Sequence, residues 1–542
     1  MSRRLIAVAA SALVVLVLPG CGRSADDTKS GQNAAGSSYV DITPAGTKSH
    51  GPIVWGVYRD VQTLDPAFSF DYPDHTAVSL LCESLLREQP DSSLSPGLAK
   101  LSRPNDLTIV LDIQPDAKFW DGNQVTADDV VYSLKRHMDS AVGSFYASTF
   151  SNVKGITATG PKQVTIDFTR PDYWFDGELS SRPGVVVEKA YAEQKAKAYG
   201  TPAGGAMCSG AYELKSWVPS TGLVVVPNPN YWRKDVHPKV EQITLKGLAD
   251  EASMTSSLLS GEIAGTYPQA ISTLAQLKAS KTVSVYQSRG QHTDALIVSN
   301  LAGPLGDVRV RQALSLALDR QSVIDTVYKG AAKLPRWIAN DGTFGDAKDT
   351  FQKAFDAAPE FKQDVAKAKQ LVQDAGATGK TVTIGMSTSI AVTAGVSAAY
   401  QAAGKAIGIE VKLQSVSPEN FINFFIDPNA RKTVDAFPTL NFGDYPDPAG
   451  LMSTVVLPNA SQNYANFSDD QLTKLLEGAR RTGDPEARAK LVIQAQQRFN
   501  ELLPWIPTVQ PTNVLIMNNE LSGAVASFAY INSSFADQLG GK

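Results

Sequence analysis

Cysteine and histidine are scarce in this 542-residue chain, with three of the first and five of the second. His50, His75, His137, His237 and His292 are widely separated, and none lies beyond residue 292. Dispersed imidazoles argue against a metal cluster, whose ligands recur at short, characteristic spacings. There is no Gly-x-Ser-x-Gly elbow and no His-Glu-x-x-His helix. The usual sequence signs of a serine hydrolase and of a zinc protease are therefore missing. Gly376-Ala377-Thr378-Gly379-Lys380-Thr381 ends like a phosphate loop, but its glycines are three apart instead of five, too short for the backbone cradle. The formal net charge is −4 and no dense basic run occurs, which argues against a nucleic-acid binder. Past the first twenty residues no apolar run is long enough to cross a bilayer.

What is present is ordinary for a globular protein: 43% hydrophobic and 19% charged residues, with length for two to four domains. Ser2-Arg3-Arg4 followed by an apolar run over residues 5–18 has the form of a secretory signal. Leu18-Pro19-Gly20-Cys21 resembles a lipobox, with Pro19 in place of the usual small residue, so residues 1–20 are read as a lipoprotein signal and Cys21 as the lipidation site. Residues 21–50 are rich in Gly, Ser, Thr, Asp and Ala, and are read as a flexible tether.

The stretch over residues 107–138 is the most ordered by pattern. Leu107, Ile109, Leu111 and Ile113 alternate with polar or outward positions, the period of a strand with one buried face. Asp121-Gly122 supplies a turn, Thr126-Ala127-Asp128-Asp129 a capping box, and Val130, Val131, Leu134 and Met138 a helical face. Further strands are expected at residues 53–58, 164–168 and 409–413. Helices are expected over residues 364–376, capped by Asp364 and Gly376, and after Asp484-Pro485. The alternation of strands and helices predicts α/β architecture.

Lys118-Phe119-Trp120-Asp121-Gly122, then Val125-Thr126-Ala127-Asp128-Asp129-Val130-Val131-Tyr132-Ser133-Leu134-Lys135-Arg136, closely resembles the signature of the family 5 extracellular solute-binding proteins, receptors of bacterial ABC importers of peptide and nickel type. Asn228-Pro229-Asn230-Tyr231-Trp232 and Asp307-Val308-Arg309-Val310-Arg311-Gln312-Ala313-Leu314 resemble further landmarks of that family, and Ser209-Gly210-Ala211-Tyr212 a Gly-Pro-Tyr turn with alanine for proline. The resemblance implies an α/β, two-lobed periplasmic-binding-protein-like fold with an enlarged first lobe, its discontinuous lobes joined by two crossing segments. It divides the chain into lobe I at 51–300, with an extra subdomain at about 70–200, lobe II at 301–507, and a return to lobe I at 508–542. It also places Cys82 and Cys208 in one lobe, where outside the cytoplasm a disulfide is expected, two buried thiols being the alternative.

Binding, not catalysis, is the function the resemblance implies, with no cofactor and no catalytic residue. Leu440-Asn441-Phe442-Gly443-Asp444-Tyr445-Pro446-Asp447-Pro448 is aromatic, turn-forming and acidic, as a ligand-facing loop is expected to be. In peptide-binding relatives an aspartate of the corresponding segment accepts the ligand's α-ammonium; Asp444 matches it, and Asp447 is the second candidate. Asn441, Phe442 and Tyr445 are candidate pocket residues, and Tyr58 with Arg59 could reach the cleft. The expected partners are a short peptide ligand, an ABC permease, and the membrane through the lipid anchor, the protein itself being a monomer outside the cytoplasm. Oligosaccharide or metal–chelator cargo, a sensing role, and a secreted hydrolase are the alternatives.

Overall fold

The computed structural model describes residues 39–268, 272–388 and 391–542; Cys21, the signal segment and the first part of the tether lie outside the described residues. Two large sheets organise the chain. The first has seven strands in the order Val283–Ser288, Asn513–Asn518, Gly265–Thr266, Ile53–Val57, Ile243–Gly247, Gly222–Pro227, Tyr212–Val218. The second has six: Ala332–Lys333, Trp505–Pro511, His292–Val298, Ala436–Phe442, Thr381–Met386, Glu410–Ser415. Helices cover these sheets. Trp55, Leu245 and Tyr212 lie in one buried cluster on the first sheet, and a second cluster joins Val382, Tyr400 and Ile506 to Val283 and Ile516 of the first sheet.

A third, four-stranded antiparallel sheet pairs Ala99–Asn105, Thr108–Ile113, Gln163–Phe168 and Val153–Gly160. Ile109, Leu111 and Ile113 face inward as their alternation predicts, packing with Val130 and Leu134 of the helix Ala127–Met138. The capping box closes at that helix's start: Asp129 N–H donates to Thr126 Oγ1 at 3.3 Å, and Thr126 N–H to the Asp129 carboxylate at 2.9 Å. Cys82 and Cys208 form a disulfide, with Cα atoms 4.8 Å apart.

The chain crosses between the large sheets twice, between Ser288 and His292 and between Pro511 and Asn513. Both crossings differ from the expected boundaries at 300 and 507. His292–Val298 and Trp505–Pro511 are neighbours in the second sheet, buried along their whole length, so residue 300 follows the first crossing and residue 507 precedes the second. The two crossing segments touch: a Cβ on Gly290 would stand 2.2 Å from the Pro511 carbonyl oxygen, so only glycine permits the approach.

The tether also ends earlier than residue 50. Thr43 N–H donates to Ala524 O at 3.0 Å, Lys48 N–H to Gly541 O at 3.0 Å and His50 N–H to Lys239 O at 2.7 Å. A polar segment without a core of its own is fixed here by backbone pairing, which composition does not reveal. Among the described residues no helix is long and apolar enough to cross a membrane.

Candidate ligand-binding site

The strand Ala436–Phe442 runs antiparallel to His292–Val298 with Phe442 opposite His292, which brings the loop that follows to the first crossing. The loop ends where Pro448–Val456 begins as a helix. Asp447 caps it, accepting from Ala449 N–H at 2.7 Å, while proline at the first helical position fixes the entry. Residues 443–446 are thus held at both ends and directed toward the first lobe.

Three contacts seat this loop. Tyr445 is buried, its ring filling the space that a side chain on Gly177 would occupy, with Cδ2 2.2 Å from the position of such a Cβ. Asn532 Nδ2 donates to the Asp444 carbonyl at 2.9 Å. Phe442 stands edge-on to Tyr72 at 4.7 Å between ring centroids, with His75 at 5.7 Å and Phe528 at 5.5 Å. Tyr72 and His75 lie on the helix Tyr72–Leu81 beside the first sheet, so this aromatic wall draws on both halves.

The Asp444 side chain is different from its neighbours. Its carboxylate is half-buried and makes no hydrogen bond or ion pair with the described residues. Burial pushes its carboxyl up to about 6, against the pull of Arg182. Arg182 is 1% exposed, donates from Nη1 to the His75 carbonyl at 3.0 Å, and leaves Nε without a partner. Burial, then the nearby Asp444 charge, raises Glu178 well above the usual carboxylate range. Burial and Arg182 lower His75 well below its ordinary value, so its ring is neutral at neutral pH. Tyr146 Oη donates to Ser69 O at 2.6 Å and lies 3.3 Å from His75 Nε2. The arrangement can hold a cation against Asp444 and lay an apolar group on the rings.

Of the residues expected from sequence, Asp444 and Phe442 come together here. Asn441 turns its amide to Gln462 and its Oδ1 to Phe442 N–H. Tyr58 donates to Asp71, whose Oδ2 also accepts from Arg59 Nε at 2.9 Å, and Arg59 reaches Asp74 at 3.0 Å. Asp447 is committed to its helix cap and Tyr445 to packing. Sequence reasoning missed Tyr72, His75, Glu178, Arg182 and Phe528. His75 was visible only as one dispersed histidine, and Arg182, in Ser181-Arg182-Pro183-Gly184, sits in no periodic pattern. Among the described residues no three His, Cys, Asp or Glu side chains converge as metal ligands.

Comparison with known proteins bears on the fold and the family. The periplasmic oligopeptide-binding protein OppA of Escherichia coli K12 is 27% identical over 486 residues, 86% of this chain and 88% of its own length. The binding protein DppA of Helicobacter pylori, solved in complex with the peptide STSA, superposes with a TM-score of 0.80 at 19% identity, covering 91% of this chain and 98% of that one. The murein tripeptide binding protein MppA of Escherichia coli gives 0.78 at 24% identity, with coverage of 92% and 99%. These structural likenesses establish the two-lobed α/β fold. The model of the bacterial extracellular solute-binding proteins, family 5 middle, matches residues 93–463, well over half of the chain, and the chain belongs to that family of binding proteins.

Proposed function

We propose that this protein captures a short peptide between its two lobes and delivers it to an ABC permease, held at the outer face of the membrane by acylated Cys21. One observation carries the peptide reading: the Asp444 carboxylate is half-buried at the junction of the lobes and has no bonded partner among the described residues. Taking a carboxylate out of water has a cost that Arg182 offsets only in part, and a ligand ammonium supplies a directly bonded partner. The aromatic wall of Phe442, Tyr72 and Phe528 then receives an adjoining side chain. Extended peptides also offer backbone groups for main-chain hydrogen bonds. The relatives OppA and MppA, oligopeptide- and murein peptide-binding proteins, favour the same cargo.

Calorimetric titration of the wild type and of Asp444→Ala with a free-amine peptide and with its N-acetylated form tests the assignment. Truncating one partner of a desolvated ion pair costs about 2–5 kcal/mol, which moves a ligand bound at ~1 μM toward millimolar. The loss is expected for the free amine only. An equal loss for both forms removes Asp444 from the role.

A further inference from the structure

We infer that Glu178, on the first-lobe wall, is a second anchor for the ligand's ammonium group, so that a captured cation is gripped by carboxylates from both lobes. This deepens the reading of Asp444 as ammonium acceptor and rests on it. The geometry begins at Gly177, whose missing side chain admits the Tyr445 ring. Glu178 and Asp444 are the chain neighbours of that contacting pair, and the Asp444 charge acts on Glu178. Glu178 ends the short helix Phe175–Glu178, and its Oε2 is buried with no hydrogen-bond partner among the described residues. Two more buried atoms, Nε of Arg182 and Nδ1 of His75, also have none among the described residues, so the polar groups on this side of Asp444 are incompletely satisfied.

Charge counting points the same way. The charged groups facing Glu178 are Asp444, Asp172 and Arg480, with the phenols of Tyr146 and Tyr445 also beside it. Asp172 is held by Asn152 Nδ2 at 2.7 Å, and Arg480 pairs with Glu477 at 3.4 Å, so both are engaged elsewhere. Arg182, the cation that lowers Asp444, also faces Tyr146 and Glu88. The guanidinium beside Asp444 is thus shared, Glu178 faces only the already paired Arg480, and a ligand ammonium supplies the missing positive charge. Without it, burial and mutual repulsion keep a proton on Glu178. With it, both carboxylates ionise, the proton leaves to solvent, and an attraction forms across the cleft that exists only when it is closed.

The wild type, Asp444→Asn, Glu178→Gln and Glu178→Met are each offered a randomised tetrapeptide library as free amines and as N-acetylated forms, and captured masses are read by native mass spectrometry. Methionine, of like volume and no charge, stands beside glutamine so that the result does not rest on one variant folding. The expected result is that both Glu178 variants lose the free-amine preference by about tenfold or more, as Asp444→Asn does. Calorimetry of the wild type with a captured peptide, in two buffers of different ionisation enthalpy, should show proton release that Glu178→Gln lacks. A preference lost in Asp444→Asn but unchanged in both Glu178 variants overturns the second anchor and leaves the Asp444 reading intact. A wild type with no preference for free amines overturns both.

Discussion

A carboxylate in the position of Asp444 attracts a cation only when ionised, and its surroundings oppose ionisation. Its carboxyl is pushed up to about 6 by burial, whereas an unfolded aspartate titrates near ~3.9. Between those values the folded, ligand-free protein holds a proton that the unfolded chain has lost, so this group's contribution to stability falls as pH rises through the window. Glu88 and Asp294, both pushed up to about 7 by burial, act in the same direction. Thermal melts of the ligand-free protein should therefore show a smaller decline from about pH 4.5 to 7 in Asp444→Asn than in the wild type. Ligand affinity should run the opposite way, rising with pH through about 6 for free-amine peptides and staying flat for acetylated ones. The sequence resemblance ranks Asp444 ahead of Asp447 as the ligand carboxylate; the structure commits the Asp447 side chain to a helix cap and leaves that of Asp444 without a bonded partner among the described residues. Glu178 was out of reach: its partner is remote in sequence, and nothing in a four-residue helix marks its face.

Elements with caps and strict periods were the readable ones. The capping box at Thr126, the Asp364 and Asp484 caps, and the strand over Thr108–Ile113 all form as their residues predict. The crossings were misplaced because His292–Val298 and Trp505–Pro511 are buried on both faces and show no alternation from which to read a boundary. The segment over residues 39–50 was misread because backbone pairing needs no particular side chains. At this scale Gly177 is the position to change. An added methyl meets the Tyr445 ring, so Gly177→Ala should disfavour closure while leaving each lobe's core intact. Solution scattering with saturating peptide should give a larger radius of gyration than for the wild type, and peptide affinity should fall. An unchanged radius would show that the loop can shift without loss.

At the scale of the whole molecule, two sheets are joined at two touching crossings, and the first half is stapled by Cys82–Cys208. The disulfide ties the end of the helix Tyr72–Leu81 to the turn before the strand Tyr212–Val218, across 126 residues of chain. Removing it as Cys82→Ala/Cys208→Ala should lower stability by about 2–5 kcal/mol, measured by denaturant unfolding. Peptide affinity should change little under native conditions, because neither sulfur belongs to the aromatic wall. The enclosed ammonium is the centre of the account, and a crystal structure with a free-amine peptide that the wild type captures examines it most directly. The predicted result is a peptide buried between the lobes with its terminal nitrogen about 2.7–2.9 Å from the Asp444 carboxylate. A peptide seated with its carboxylate end at Asp444, or bound on the outer surface, would contradict it.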